Sequence, residues 1–218
     1  FAGSPATIEY AMQYPNAFIG LLAPTFGMGR SNMIEGSSGI MALCPDNFKP
    51  KYNRSEGTLA FPNGAKAKIF SSENGDRIRG ANLSFLWGDE FCFFKFTSGD
   101  DDLWKMAKMA LRQGSHPKYI ITTSPKPVKA IKDLYEDSKK PESTLLFKTG
   151  TTFDNYTLPA SYILEVKKGE GTSLYNQEVL GRILDENPSA IFSLKDIKRL
   201  DLDDQGDDPD KYNQRMRK

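Results

Sequence analysis

The chain has 218 residues, room for one domain with a full core and a short tail. Its 29 Lys and Arg against 28 Asp and Glu leave a formal net charge of +1, so bulk charge does not mark a polyanion binder and any nucleic-acid contact has to be local. With 39% hydrophobic residues and no apolar run near the roughly 20 residues a bilayer span needs, the composition points to a globular domain and away from a membrane.

The chain opens at Phe1 with neither an initiator methionine nor a readable leader, and we expect its natural start to lie upstream. The first apolar run, FIGLLA at 18–23, is short and continuous, as in a strand buried on both faces of a parallel sheet. Residues 58–61 and 65–70 flank Pro62, Asn63 and Gly64 and form a β-hairpin with an Asn-Gly turn, an antiparallel addition to a parallel core. LSFLWG at 83–88 is the second continuous apolar run and the next strand of the parallel core. An amphipathic helix follows at 101–113, where Leu103, Trp104, Ala107, Ala110 and Leu111 recur at helical spacing behind aspartates suited to a helix N-terminus. KYIITT at 118–123 and TLLFKT at 144–149 supply two more strands, and 128–137, 160–168 and 173–184 three more helices. This alternation predicts a doubly wound α/β fold with right-handed crossovers.

From Asp201 onward six aspartates precede Lys211, Arg215, Arg217 and Lys218, which reads as an exposed linker. A calcium loop on Asp201, Asp203 and Gly206 fails because Gln205 and Tyr212 stand where ligands are required. Cys44 and Cys92 are the only cysteines and lack metal-ligand spacing; both are expected to be buried free thiols. His116 has no nucleophile partner and is assigned a structural place, and the sequons at Asn53, Asn82 and Asn155 carry no function without a secretory route.

The residues with chemistry to offer stand where strands end. The apolar strand at 83–88 runs into Asp89 and Glu90, and a buried strand holds such a pair at the carboxyl edge of a sheet, where open α/β folds bind ligands. There Asp89 can hold a Mg²⁺ shell and Glu90 can polarise water. LLAPT ends its strand in Pro24 and Thr25. IITTSPKP ends its strand in Thr122, Thr123 and Ser124, hydroxyls able to bond a phosphate or Glu90. RIRG offers Arg77 and Arg79 just upstream of the carboxylates. A basic group around the hairpin, Lys49, Lys51, Arg54, Lys66 and Lys68, can touch DNA phosphates without reading sequence or serve as an ordinary solvated face.

These motifs occur in one order, together with 35–40 (EGSSGI), Cys44-Pro45, 61–65 (FPNGA), 148–155 (KTGTTFDN) and 175–181 (YNQEVLG). The chain thereby resembles the ATPase domain of tailed-phage terminase large subunits over nearly its whole length to about Ile191. The resemblance implies a P-loop NTPase (ASCE, RecA-like) core with a mainly parallel central sheet flanked by helices. It implies an ATPase domain over 1–192 and a linker over 193–218 leading to a nuclease domain. It assigns Asp89 to Mg²⁺, Glu90 to catalysis, Thr122, Thr123 and Ser124 to the nucleotide and to coupling hydrolysis with movement, and Arg79 to the nucleotide of a neighbouring subunit. Arg77 is left a structural or DNA-facing role. The implied cofactors are ATP and Mg²⁺, and the implied partners are double-stranded DNA, a portal protein, a small terminase subunit and other copies in a ring. The implied place is the host bacterial cytoplasm, transiently at the procapsid portal, and not the mature virion.

One element of the pattern is missing. No Gly-x-x-x-x-Gly-Lys-Ser/Thr loop occurs, although phosphate binding in this class depends on its amides and lysine. Phe1-Ala2-Gly3-Ser4 fits the position just after such a loop, so the chain is expected to begin past it, and a chain without it should bind ATP poorly. Pro5 then falls in the following helix, where a proline interior to the helix would kink it. Two alternatives stay open on sequence alone: a fragment of a superfamily 2 helicase-like translocase, and a catalytically inactive scaffold.

Overall fold

The computed structural model describes residues 2–96 and 102–184. Its strands are β1 (Phe18–Ala23), β2 (Lys51–Asn53), β3 (Thr58–Ala60), β4 (Lys66–Ser71), β5 (Phe85–Asp89) and β6 (Lys118–Thr122). They form one sheet in the order β2-β3-β4-β1-β5-β6. From β4 to β6 the neighbours are parallel, and β2, β3 and β4 are antiparallel. The hairpin at 58–70 is therefore where expected, and β4 joins it to the parallel core. Its turn closes with the Phe61 amide donating to the Ala65 carbonyl at 2.8 Å, and Gly64 takes the φ of +88° that a side chain would resist.

Helices lie on both faces. On one, α1 (Gly3–Gln13), the helical stretch 26–35 that begins as α2 (Phe26–Met28), and α3 (Ile40–Leu43) pack on the faces of β1 and β5 that carry Ile19, Leu21, Phe85 and Trp87. On the other, α4 (Asp76–Arg79), α5 (Leu103–Ala110) and α6 (Lys129–Ser138) cover Leu22, Phe70 and Leu86. Ile19, Leu21, Leu22 and Leu86 are fully buried, each side chain contributing about 1.5–3 kcal/mol, so β1 and β5 are the most strongly held part of the sheet. Cys44 and Cys92 are buried free thiols.

Several elements differ from expectation. Residues 144–149 are not a strand. They pair with no strand among the described residues, and exposed Thr144, Leu146 and Lys148 alternate with half-buried Leu145 and Phe147, an extended segment with one face on the core. The helix at 101–113 is shorter. Asp102 caps it, accepting from the Lys105 amide at 2.9 Å, and it stops where Leu111 leaves to bridge Leu83. The helix at 173–184 ends early, as its π-helical turn Tyr175–Val179 runs into Gly181 at φ +61°. Strand β2 and the helical stretch 26–35 were not foreseen. Pro5 is the third residue of α1, where the backbone amide has no intrahelical acceptor to lose, so it needs no kink. The aspartate Asp101, the segment 193–218 and the rejected calcium loop lie outside the described residues.

Candidate functional site

Because β1, β5 and β6 are parallel, their carboxyl ends emerge at one edge, with Asp89 directly opposite Thr122. Side chains alternate along a strand, so Trp87 and Asp89 point to the face that carries α1. The Thr122 hydroxyl meets both. It accepts from the Trp87 indole N–H at 2.9 Å and donates to Asp89 Oδ1 at 2.6 Å. An indole nitrogen can only donate, which leaves the threonine hydrogen for the carboxylate.

Glu90 leaves the strand in the left-handed region, φ 54° and ψ 46°, a conformation that costs a non-glycine residue about 1 kcal/mol or more. This turn sends the chain into the short helix Phe91–Phe93 and leaves Glu90 Oε2 buried with no hydrogen-bond partner. Burial first, and the neighbouring Asp89 charge second, push the Glu90 carboxyl above its ordinary range, while the Ser124 amide pulls it back. Thr123 holds the same turn from the other side, its hydroxyl accepting from the Cys92 amide at 3.0 Å.

Asp89, Glu90, Thr122, Thr123 and Ser124 line one cleft of about 770 Å³, whose opposite wall is 145–150 with Gln177 and Glu178 and which Ala2 also lines. The first turn of α1 adjoins the cleft. A Cβ placed on Gly3 would lie 1.9 Å from Trp87 Cε2, so only glycine lets that turn meet the indole. Ser4 Oγ, the next side chain, is buried without a partner. The structure thus brings together the two carboxylates and the three hydroxyl residues predicted from sequence. Trp87, Gln177 and Glu178 were missed, although a tryptophan two residues before Asp89 on a strand must share its face.

Other candidates stand elsewhere. Arg79 ends α4, with Nε and Nη2 3.4 Å from Met106 Sδ and Nη2 3.9 Å from Asp76, and does not line the cleft. Thr25 follows β1 at the same sheet edge but caps α2, accepting from the Met28 amide at 3.1 Å. In the basic group, Arg54 pairs with Glu35 at 3.0 Å and Lys49 with Asp46 at 3.6 Å. Lys51, Lys66 and Lys68 share one exposed face of β2–β4. His116 lies on an exposed turn with Nδ1 2.7 Å from Ser115 Oγ, away from the cleft. No helix among the described residues is long and apolar enough to cross a membrane.

Comparison with known proteins now bears on this edge. The model of the family "Terminase large subunit, T4likevirus-type, N-terminal" matches residues 3–199. Among curated proteins none matches. The fold is similar to the large terminase of a thermophilic bacteriophage, with a TM-score of 0.66 and 18% identity over 83% of this chain and 44% of that one. A complex of that large terminase with ADP gives a TM-score of 0.65 at 18% identity, with the same shares of both chains covered. The ATPase domain of the Thermus phage P74-26 large terminase gives a TM-score of 0.59 at 13% identity, covering 83% of this chain and 82% of that one. The chain therefore spans less than half the length of the first of these terminases.

Proposed function

The chain belongs to the T4likevirus-type family of terminase large subunit N-terminal regions and has the fold of large-terminase ATPase domains, and from that premise we propose that it hydrolyses ATP to drive DNA packaging. The observation that carries the proposal is the pair at the sheet edge: Asp89 held by Thr122 at 2.6 Å, and Glu90 beside it with a buried, unpartnered oxygen. Two carboxylates of one strand end have been given opposite environments.

ATP and Mg²⁺ are the implied ligands, and the residues at the sheet edge fit the cation. The donors at the cleft are oxygens, as a hard cation requires, and Mg²⁺ is commonly held by one or two carboxylates together with phosphates rather than by a protein cage. Asp89 would hold the ion, which when bound would neutralise charge on the phosphates. The ADP complex of the similar phage terminase supports a nucleotide here.

The chain's own residues then divide the work. The Thr122 hydroxyl fixes the Asp89 carboxylate by donating to it. Glu90, whose affinity for a proton is raised by burial, is suited to accept one from an attacking water once its buried and unpartnered Oε2 is reached. The leading amides of α1 lie beside the cleft and favour an anion there. Thr123 keeps the turn that presents Glu90.

On this proposal Arg79 acts on the nucleotide of a neighbouring copy in a ring, in keeping with its place on α4 outside its own cleft. The partners are double-stranded DNA, the portal and the small terminase subunit, and the setting is the host cytoplasm with transient docking at the procapsid portal. Lys51, Lys66 and Lys68 offer DNA a phosphate contact without sequence readout. The family match sets the helicase alternative aside. The scaffold alternative is met by experiment: in the complete protein, Glu90→Gln should keep nucleotide binding and lose turnover, and turnover at the wild-type rate would end the proposal.

A further inference from the structure

Resting on the function proposed above, we infer that Trp87 is a positioning residue that ties the first turn of α1 to the Thr122 hydroxyl, and through it to Asp89. Trp87 is 5% exposed, and a buried indole N–H has to find an acceptor. It finds the Thr122 hydroxyl, at 2.9 Å, and not a backbone carbonyl. Since the indole only donates, it occupies the threonine oxygen and commits the threonine hydrogen to an acceptor beyond. Asp89 Oδ1 at 2.6 Å is that acceptor in preference to the Gly88 carbonyl at 3.5 Å. Without the indole N–H the hydroxyl would be free to turn, and Asp89 would lose a fixed orientation.

The other end of the chain of contacts is α1. A Cβ on Gly3 would lie 2.2 Å from Trp87 Nε1 and 2.4 Å from Cζ2, so the helix rests on the edge of the ring that makes the hydrogen bond. Ala2, the residue before it, lines the cleft. A ligand that shifts the start of α1 therefore presses on the donor that orients Thr122, and the state of the cleft reaches the β6 hydroxyl through two contacts, Gly3 backbone on the indole and the indole on Thr122. If Trp87 only filled the core, its hydrogen bond would add stability and nothing else.

The test uses the complete protein with Trp87→Phe, which keeps an aromatic ring and removes the donor. Turnover should fall roughly three- to tenfold, the effect of one lost hydrogen bond, with the KM for ATP unchanged and the half-saturating Mg²⁺ concentration raised by a similar factor. A second readout needs no turnover: the indole ¹⁵N–¹H resonance of Trp87, identified by its absence in W87F, should move in Thr122→Val and on adding Mg²⁺ with ADP. Gly3→Ala, which displaces the ring, should reproduce the Mg²⁺ effect. Unchanged kcat and Mg²⁺ dependence in W87F, with only a lower melting temperature, would overturn the inference. If W87F does not fold, the Trp87 indole resonance is assigned through its connections to neighbouring backbone resonances instead, and a resonance that stays in place both in T122V and on adding Mg²⁺ with ADP overturns the inference. Wild-type turnover in E90Q would remove the proposed function and this inference with it, whereas loss of turnover in E90Q beside an unaffected W87F removes this inference alone.

Discussion

The sheet-edge wall of the cleft and the wall facing it are held by different means. Asp89 and Glu90 follow a strand whose Leu86 and Trp87 are at most 5% exposed, and β5 is hydrogen-bonded on both sides. Across the cleft, 144–150 pair with no strand among the described residues, and in the chain that follows them α7 (Ala160–Lys167) buries no residue and Leu164 and Leu174 are, like Leu146, 66–77% exposed. Only Tyr175 and Gln177 anchor that region by full burial. The groups proposed to handle protons and a cation thus stand on the packed wall, where burial and pairing hold them in place, and the facing wall is the less tightly packed of the two.

The comparison can be broken at several points. The largest effect is expected from Arg79→Ala, which on the proposed role in a neighbour's site should cost roughly three to five powers of ten in turnover. Because that role acts between copies, mixing Arg79→Ala with Glu90→Gln subunits should restore part of the activity. No recovery in mixed assemblies would place Arg79 outside the chemistry.

Glu90→Gln alone should lower turnover by about 10²–10⁴-fold, the usual share of a general base. It should also raise the melting temperature near neutral pH. The folded carboxyl titrates above its unfolded value, so the stability that protonation contributes is fully present below the unfolded value and is lost as pH rises through the folded one. The gain from glutamine should therefore shrink as pH falls; a gain independent of pH would show that burial of the charge is not the cause.

On the facing wall, Tyr175→Ala should raise the KM for ATP several-fold and leave kcat close to wild type. Hydrogen exchange would sharpen the same contrast, with amides of β1 and β5 exchanging only on global unfolding and those of 160–179 through local opening. Similar protection in both regions would erase the distinction drawn here. The smallest effect is expected from Arg54→Ala, which removes an exposed pair with Glu35 and should change unfolding free energy by at most about 1 kcal/mol.

The sequence made the packed wall legible and the other one not. FIGLLA and LSFLWG could be read as buried strands because their apolar runs are satisfied only between two layers of helix; KYIITT is a strand as expected but ends the sheet with no residue fully buried, and Asp89, Glu90 and Thr122 followed from where those runs stop. TLLFKT has the same composition, but pairing depends on a neighbour that composition does not name, and it is extended without a ladder. Lys51-Tyr52-Asn53 has too little apolar character to announce β2, which exists because β3 offers it an edge. The link from Trp87 to Asp89 was out of reach for another reason. It depends on the register that sets Asp89 against Thr122, residues 33 apart in the chain, and no local pattern encodes register.

The free flank of β6 has a consequence for assembly. The sheet order ends there, so its outward amides and carbonyls have no ladder among the described residues, while Leu145 and Phe147 pack on the same apolar layer as Tyr119 and Ile121 of β6. A polypeptide segment laid along that flank in the direction of β6 would extend the sheet without disturbing the alignment of Asp89 and Thr122.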